Sequence, residues 1–243
     1  MEPLENDDID VEIINEEVEP SRWSGLQTRI ISAAIMAVVL LGVLWQGGWL
    51  FTMLILLACM IMVKEWNGLT KDDGPGWHLA GMFYAAVPCA SLIWLRNLSL
   101  ELSADAGLYV VLYLFLIIWA TDIGAYFAGR QIGGPKLAPA ISPGKTWAGL
   151  GGGVLAAAAV GGICSSFTPF PGSFLACLIM GAFLAVLAQC GDLFESWMKR
   201  RVGIKDSGTL IPGHGGLLDR VDGLTFTTPF FAFALALSGI LYS

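Results

Sequence analysis

Long apolar blocks restrict this chain more than any other feature. They lie at about 27–45, 48–63, 77–95, 107–128, 148–166, 174–191 and 224–242. Most come close to the roughly 20 residues of helix that cross a hydrocarbon core about 30 Å thick. At that depth no water serves the backbone amides, so a single segment has to satisfy them internally, as a helix does. Hydrophobic residues make up 56% of the chain and charged residues 14%, and the mean hydropathy is +0.69, outside the range of ordinary soluble domains. The expectation is an all-α, polytopic integral membrane bundle of about seven to nine transmembrane helices, some of them broken or short. Gly47, Gly48 and the stretch Gly149 to Gly153 are where bends are affordable.

The formal charge of −7 comes from the first residues. Residues 1–20 hold nine Asp or Glu and no Lys or Arg, which leaves 13 basic against 11 acidic residues in the rest. So short an acidic segment cannot bury enough surface to offset its ordering entropy, and residues 1–21 are expected to be a disordered tail before a single transmembrane catalytic domain, 22–243. A cleavable leader needs a basic start, so the first span is expected to be retained. Cys59, Cys89, Cys164, Cys177 and Cys190 form no CxxC pair and read as small hydrophobes rather than disulfide partners or zinc ligands.

Basic residues set the orientation, because loops on the cytoplasmic side retain Lys and Arg. With seven spans and a cytoplasmic N-terminus, twelve of the 13 basic residues fall inside and only Arg96 falls outside. The same topology gathers three polar loops, near 64–76, 129–147 and 192–223, on one face.

Chemistry is concentrated there. Asp192, Glu195, Ser196 and Lys199 are spaced i, i+3, i+4 and i+7, on one helical face with Gln189. Charges at membrane depth are costly unless paired or facing a wet cavity, so that face is a candidate site, with an interfacial Asp–Lys pair as the plain alternative. Downstream, Lys205-Asp206 and Pro212-Gly213-His214-Gly215-Gly216 combine cations with glycines whose free amides suit anions. Asp219 and Asp222 bracket Arg220 at the start of the last span, and Asp192 and Asp219 could converge from two helices on one Mg²⁺. Asp122 and Tyr126 share a face at the inner end of the fourth span, where a partner for Asp122 from another span is expected. Glu65, just after the second span, carries little weight, since interfacial Glu commonly needs no special role. Gly144-Lys145-Thr146 is not a P-loop, because Pro139 occupies the first glycine position and no buried strand precedes it. The glycines that follow read as close helix packing.

Ser196-Trp-Met-Lys199-Arg200, then Lys205-Asp206, then Pro212 through Asp222 resemble the signature of phosphatidate cytidylyltransferases, also called CDP-diacylglycerol synthases. The stretches Trp119–Arg130, Ser142–Trp147 and Gln189–Asp192 are similar to further blocks of that family, so the resemblance spans about 22–243. The chain departs from the pattern at Gly144 and Ala148, where Lys and Glu are expected. The resemblance implies condensation of CTP with phosphatidic acid in the bacterial inner membrane, by a polytopic dimer with a cytoplasm-facing cavity that holds Mg²⁺ and a monovalent cation such as K⁺. It implies Asp192 and Asp219 as metal ligands. Asp122, Lys199, Arg200, Lys205, Asp219 and Asp222 would serve catalysis, and Lys145, Thr146, Ser196, His214, Gly215, Gly216 and Arg220 would bind substrate. Membrane lipid and a second copy of the chain are the implied partners; nucleic acid is not.

Phosphatidate is already anionic, so the residues' task is positioning and charge neutralisation rather than base catalysis. Two other readings explain part of the pattern: a transporter using Asp122 and Asp192 as cation or proton sites, and a related transferase acting on another lipid phosphate.

Overall fold

The computed structural model describes residues 22–99, 105–166, 173–208, 210 and 215–238. Within them the chain forms seven helices: α1 (Arg22–Gln46), α2 (Gly48–Leu69), α3 (Pro75–Arg96), α4 (Ala106–Gln131), α5 (Trp147–Cys164), α6 (Phe174–Arg201) and α7 (Leu218–Leu237). The acidic tail lies outside the described residues. Each apolar block of the sequence corresponds to one helix among the described residues. Helices α2 to α6 are long and apolar enough to cross a membrane, and the protein is an integral membrane helical bundle.

Helix ends follow local chemistry. Between α1 and α2 the chain turns at Gly47 and Gly48, both at positive φ, 64° and 57°, where a side chain would be strained. Arg96, the one basic residue expected on the far side, lies over Gly47 and donates Nε–H to Leu44 O (2.8 Å) and Nη2–H to Trp45 O (3.2 Å). It thereby satisfies carbonyls that the end of α1 leaves open. Pro75 starts α3 at a position where its missing N–H costs nothing. Ser173 and Thr146 cap α6 and α5 through their hydroxyls.

Helix α4 is the central element. Val110, Val111, Tyr113, Leu114 and Ile117 are all buried, and the Tyr113 hydroxyl donates to Cys177 O of α6 at 2.8 Å while its ring stacks on Phe231 of α7. Against α5 the packing is backbone to backbone. A methyl on Gly124 would come within 2.6 Å of Gly152 O, and one on Gly153 within 2.8 Å of Thr121 O. The glycine stretch therefore works as close helix packing, the usual role of small residues between membrane helices. Helix α5 runs through the stretch without a break.

The core continues under the polar end, where Trp66, Tyr84, Phe194 and Phe226 pack ring against ring, with Trp66–Tyr84 centroids 4.9 Å apart. It ties α2, α3, α6 and α7 together. All five cysteines are free.

The all-α expectation needs one correction. Residues 136–146 form a two-stranded antiparallel hairpin, β1 (Lys136–Ala138) and β2 (Ser142–Thr146). Pro139 and Pro143 make this stretch a poor helix former, while β1 is too short and β2 too polar for a pattern of alternation to be read.

Candidate active site

Four contacts bring the three polar loops together at one end of the bundle. Lys145 of β2 reaches Asp192 of α6 (2.5 Å), Arg200 Nε–H reaches Ile141 O at the hairpin tip (3.4 Å), and Arg201 pairs with Asp73 between α2 and α3. The fourth is Glu65 of α2, which accepts from Leu217 and Leu218 at the start of α7.

Two cavities open between these elements. The larger, about 500 Å³, lies between α4, β2, α5 and α6, and its polar lining is Asp122, Tyr126, Arg130, Lys145, Thr146, Gln189 and Asp192. The smaller, about 200 Å³, lies between α4, α6 and α7, and Asp122, Asp192, Asp219, Arg220 and Asp222 line it. Asp122 and Asp192 belong to both, so the cavities adjoin along these two carboxylates.

The polar face of α6 forms as its spacing predicts. The Ser196 hydroxyl donates to Asp192 Oδ1 (3.4 Å), and Lys199 Nζ stands 3.2 Å from Glu195 Oε1 and 2.6 Å from Asp219 Oδ1. Lys145 Nζ also donates to Gln189 Oε1 (2.9 Å). Each carboxylate expected to hold metal is thus held in turn by a lysine from another element. Asp219 is the more constrained, because its Oδ2 accepts from Ser207 N (2.9 Å), Ser207 Oγ (3.0 Å) and Gly216 N (2.9 Å).

Asp122 departs from expectation. Among the described residues it makes no hydrogen bond or ion pair; it is exposed, and it lines both cavities. Open polar space, rather than a partner from another span, relieves the cost of a carboxylate on α4. Thr146 lines the larger cavity, but its Oγ1 accepts from Gly149 N (3.0 Å) as the cap of α5. Arg200 braces the hairpin, Lys205 is exposed, and neither lines these two cavities. Gly215, at φ +82°, stands where a methyl would come within 2.8 Å of Asp219 Oδ2. His214 lies outside the described residues. Sequence reasoning passed over Arg130, whose Nη1–H donates to the Tyr126 hydroxyl (2.7 Å) at the mouth of the larger cavity. It also gave too little weight to Glu65, which carries no signal beyond its place at a helix end.

This arrangement can do phosphate chemistry: carboxylates suited to a hard cation adjoin lysine and arginine suited to phosphate oxygens. A model of the Cytidylyltransferase family matches residues 77–238. The chain belongs to that family. Its cytidylyltransferase relatives include the phosphatidate cytidylyltransferase of Brucella suis biovar 1 (strain 1330), 37% identical over 248 residues that cover 83% of this chain and 90% of the relative. The enzyme of the same name from Bacillus subtilis (strain 168) is 40% identical over 188 residues, 77% of this chain and 67% of its own. That of Rickettsia felis is 38% identical over 213 residues, 84% and 90% respectively. The family match takes in the residues that line both cavities, from Ile118 and Asp122 on α4 to Asp222 and Leu224 on α7.

Proposed function

We infer that the chain is a nucleotidyltransferase of phospholipid biosynthesis, transferring the cytidylyl group of CTP to phosphatidic acid and releasing diphosphate and CDP-diacylglycerol. The observation that carries this reading, with the family membership, is the pair of adjoining cavities sharing Asp122 and Asp192 at the polar end of a membrane bundle. A lipid phosphate and a nucleotide triphosphate have to meet at such a place.

Four aspartates and no sulfur or imidazole ligand line the smaller cavity, a donor set for a hard cation. Among the described residues no three His, Cys, Asp or Glu stand close enough together to enclose an ion unaided. Mg²⁺ is commonly bound in that way, by one or two carboxylates with substrate phosphates completing its shell. Asp192 and Asp219 would hold it, and when bound it offsets triphosphate charge and polarises the reacting phosphoryl group. By resemblance, the reading extends to a monovalent cation such as K⁺ and to a homodimer.

A phosphate oxygen of phosphatidic acid forms a bond to the α-phosphorus of CTP. The bond from that phosphorus to the bridging oxygen breaks, and diphosphate leaves with the electron pair. The attacking oxygen is already anionic, so the chain supplies no strong base. Lys199, fixed between Glu195 and Asp219, and Lys145, fixed between Gln189 and Asp192, neutralise charge that moves onto the leaving diphosphate. Arg220 and Arg130 present guanidinium groups to the phosphates from the two cavities. Asp122 and Asp222 repel phosphate from the carboxylate side and so bias it toward the cations.

The polar end would face the cytoplasm of a bacterial inner membrane, supported by the twelve-to-one distribution of Lys and Arg. The test is diphosphate release from CTP by purified protein in detergent, with and without phosphatidic acid and with Mg²⁺ present or chelated. Release that requires both lipid and metal is expected. Release without lipid, or none from folded protein, would overturn the reading.

A further inference from the structure

Glu65 stands outside the reaction just described, yet it makes more backbone contacts across elements than a helix-end carboxylate needs. Its Oε1 accepts from Leu217 N at 2.9 Å and its Oε2 from Leu218 N at 2.8 Å, with Ser207 Oγ 3.3 Å from Oε2. Helix α7 begins with Leu217 in the cap position and makes no side-chain cap of its own. An apolar residue cannot accept from the first free amides of a helix, so those donors need an acceptor from elsewhere. Glu65 supplies it from α2, about 150 residues away in sequence.

The same carboxylate lies against the glycines that precede α7. A methyl on Gly216 would fall 2.8 Å from Glu65 Oε2, and one on Gly208 3.0 Å from Oε1. Asp219 holds the same residues, its Oδ2 accepting from Gly216 N and Ser207 N. Ser207 Oγ bridges the two, 3.0 Å from Asp219 Oδ2 and 3.3 Å from Glu65 Oε2. Ser207 and the residues Gly216 to Leu218 are therefore held between two carboxylates, of which only Asp219 lines the cavity.

We propose that Glu65 is a positioning residue for cytidylyl transfer: by holding the amides of Leu217 and Leu218 it fixes the start of α7, so that Asp219 and Arg220 point into the smaller cavity. The proposal rests on the transfer reading above, and the reading does not require it. A shift of about 1 Å at a reacting centre costs on the order of 100-fold in rate, so a loosened start of α7 is visible in turnover.

The experiment compares the full-length chain in detergent with Glu65→Ala and Glu65→Gln. Gln keeps the shape and one acceptor oxygen, so it folds where Ala fails to. Amide hydrogen exchange over residues 205–222 is read alongside kcat per folded molecule with CTP, phosphatidic acid and Mg²⁺. Faster exchange confined to that segment is expected, with kcat about 100-fold lower for Ala and intermediate for Gln. Unchanged exchange would overturn the clamp. Faster exchange with an unchanged kcat, or a lowered melting temperature alone, would reduce Glu65 to a stabilising role and overturn the proposal. If the wild-type chain keeps the segment protected but releases no diphosphate, the transfer reading fails, and the catalytic half of the proposal fails with it.

Discussion

Lys199 Nζ lies 2.6 Å from Asp219 Oδ1, joining the polar end of α6 to the first turn of α7. The ammonium is shared with Glu195, which is 2% exposed and has no other cation among its described neighbours. One lysine thus balances two carboxylates, one buried for structure and one turned toward the cavity.

Replacing Lys199 with Met strands Glu195 without its cation. Removing one partner of a buried pair typically costs about 3–5 kcal/mol, so the melting temperature in detergent should fall markedly and turnover should be lost. In Lys199→Met/Glu195→Leu the stability should largely return and the turnover should not. Recovery of both would remove Lys199 from the reaction.

Asp219→Asn should leave membrane insertion intact and abolish diphosphate release, by on the order of 100-fold or more. The amide keeps the shape of the side chain but gives up the charge that a cation and Lys199 both require. Near wild-type activity would sink the metal assignment.

On α5, Gly151 and Gly152 are adjacent but not equivalent. A methyl on Gly151 meets nothing within 4 Å, while one on Gly152 would come within 2.9 Å of Gly124 O on α4. Gly151→Ala should be neutral. Gly152→Ala should lower stability by about 1–3 kcal/mol, as overpacking does, read as a shift in thermal unfolding. Equal effects would contradict the close α4–α5 contact.

Arg96→Ala tests the opposite end of the bundle. It removes the donors for Leu44 O and Trp45 O, at a cost of about 1–3 kcal/mol, and kcat per folded molecule should stay unchanged. A fall in kcat would mean that the two ends are coupled.

Much of this site could be read in the sequence because its residues are neighbours on one helix face. Asp192, Ser196 and Lys199 declare themselves by spacing, and Asp219, Arg220 and Asp222 by being polar where an apolar run begins. Asp122 stood out for the same reason, although the partner expected for it is replaced by open space in two cavities. The hairpin could not be read, since one strand has only three residues and the other, Ser-Pro-Gly-Lys-Thr, has no apolar alternation to show. Glu65 could not be weighed, because its partners are backbone amides, and backbone amides have no sequence signature.

By itself the sequence determined that this chain crosses a membrane as helices and gathers all but one of its Lys and Arg at one end, because the bilayer imposes length and polarity on every segment separately. Tertiary structure alone decided which charges meet: Lys145 with Asp192, Lys199 with Asp219, and Glu65 with the start of α7. Those choices depend on how helices far apart in the chain pack against one another. Local periodicity holds no record of that packing.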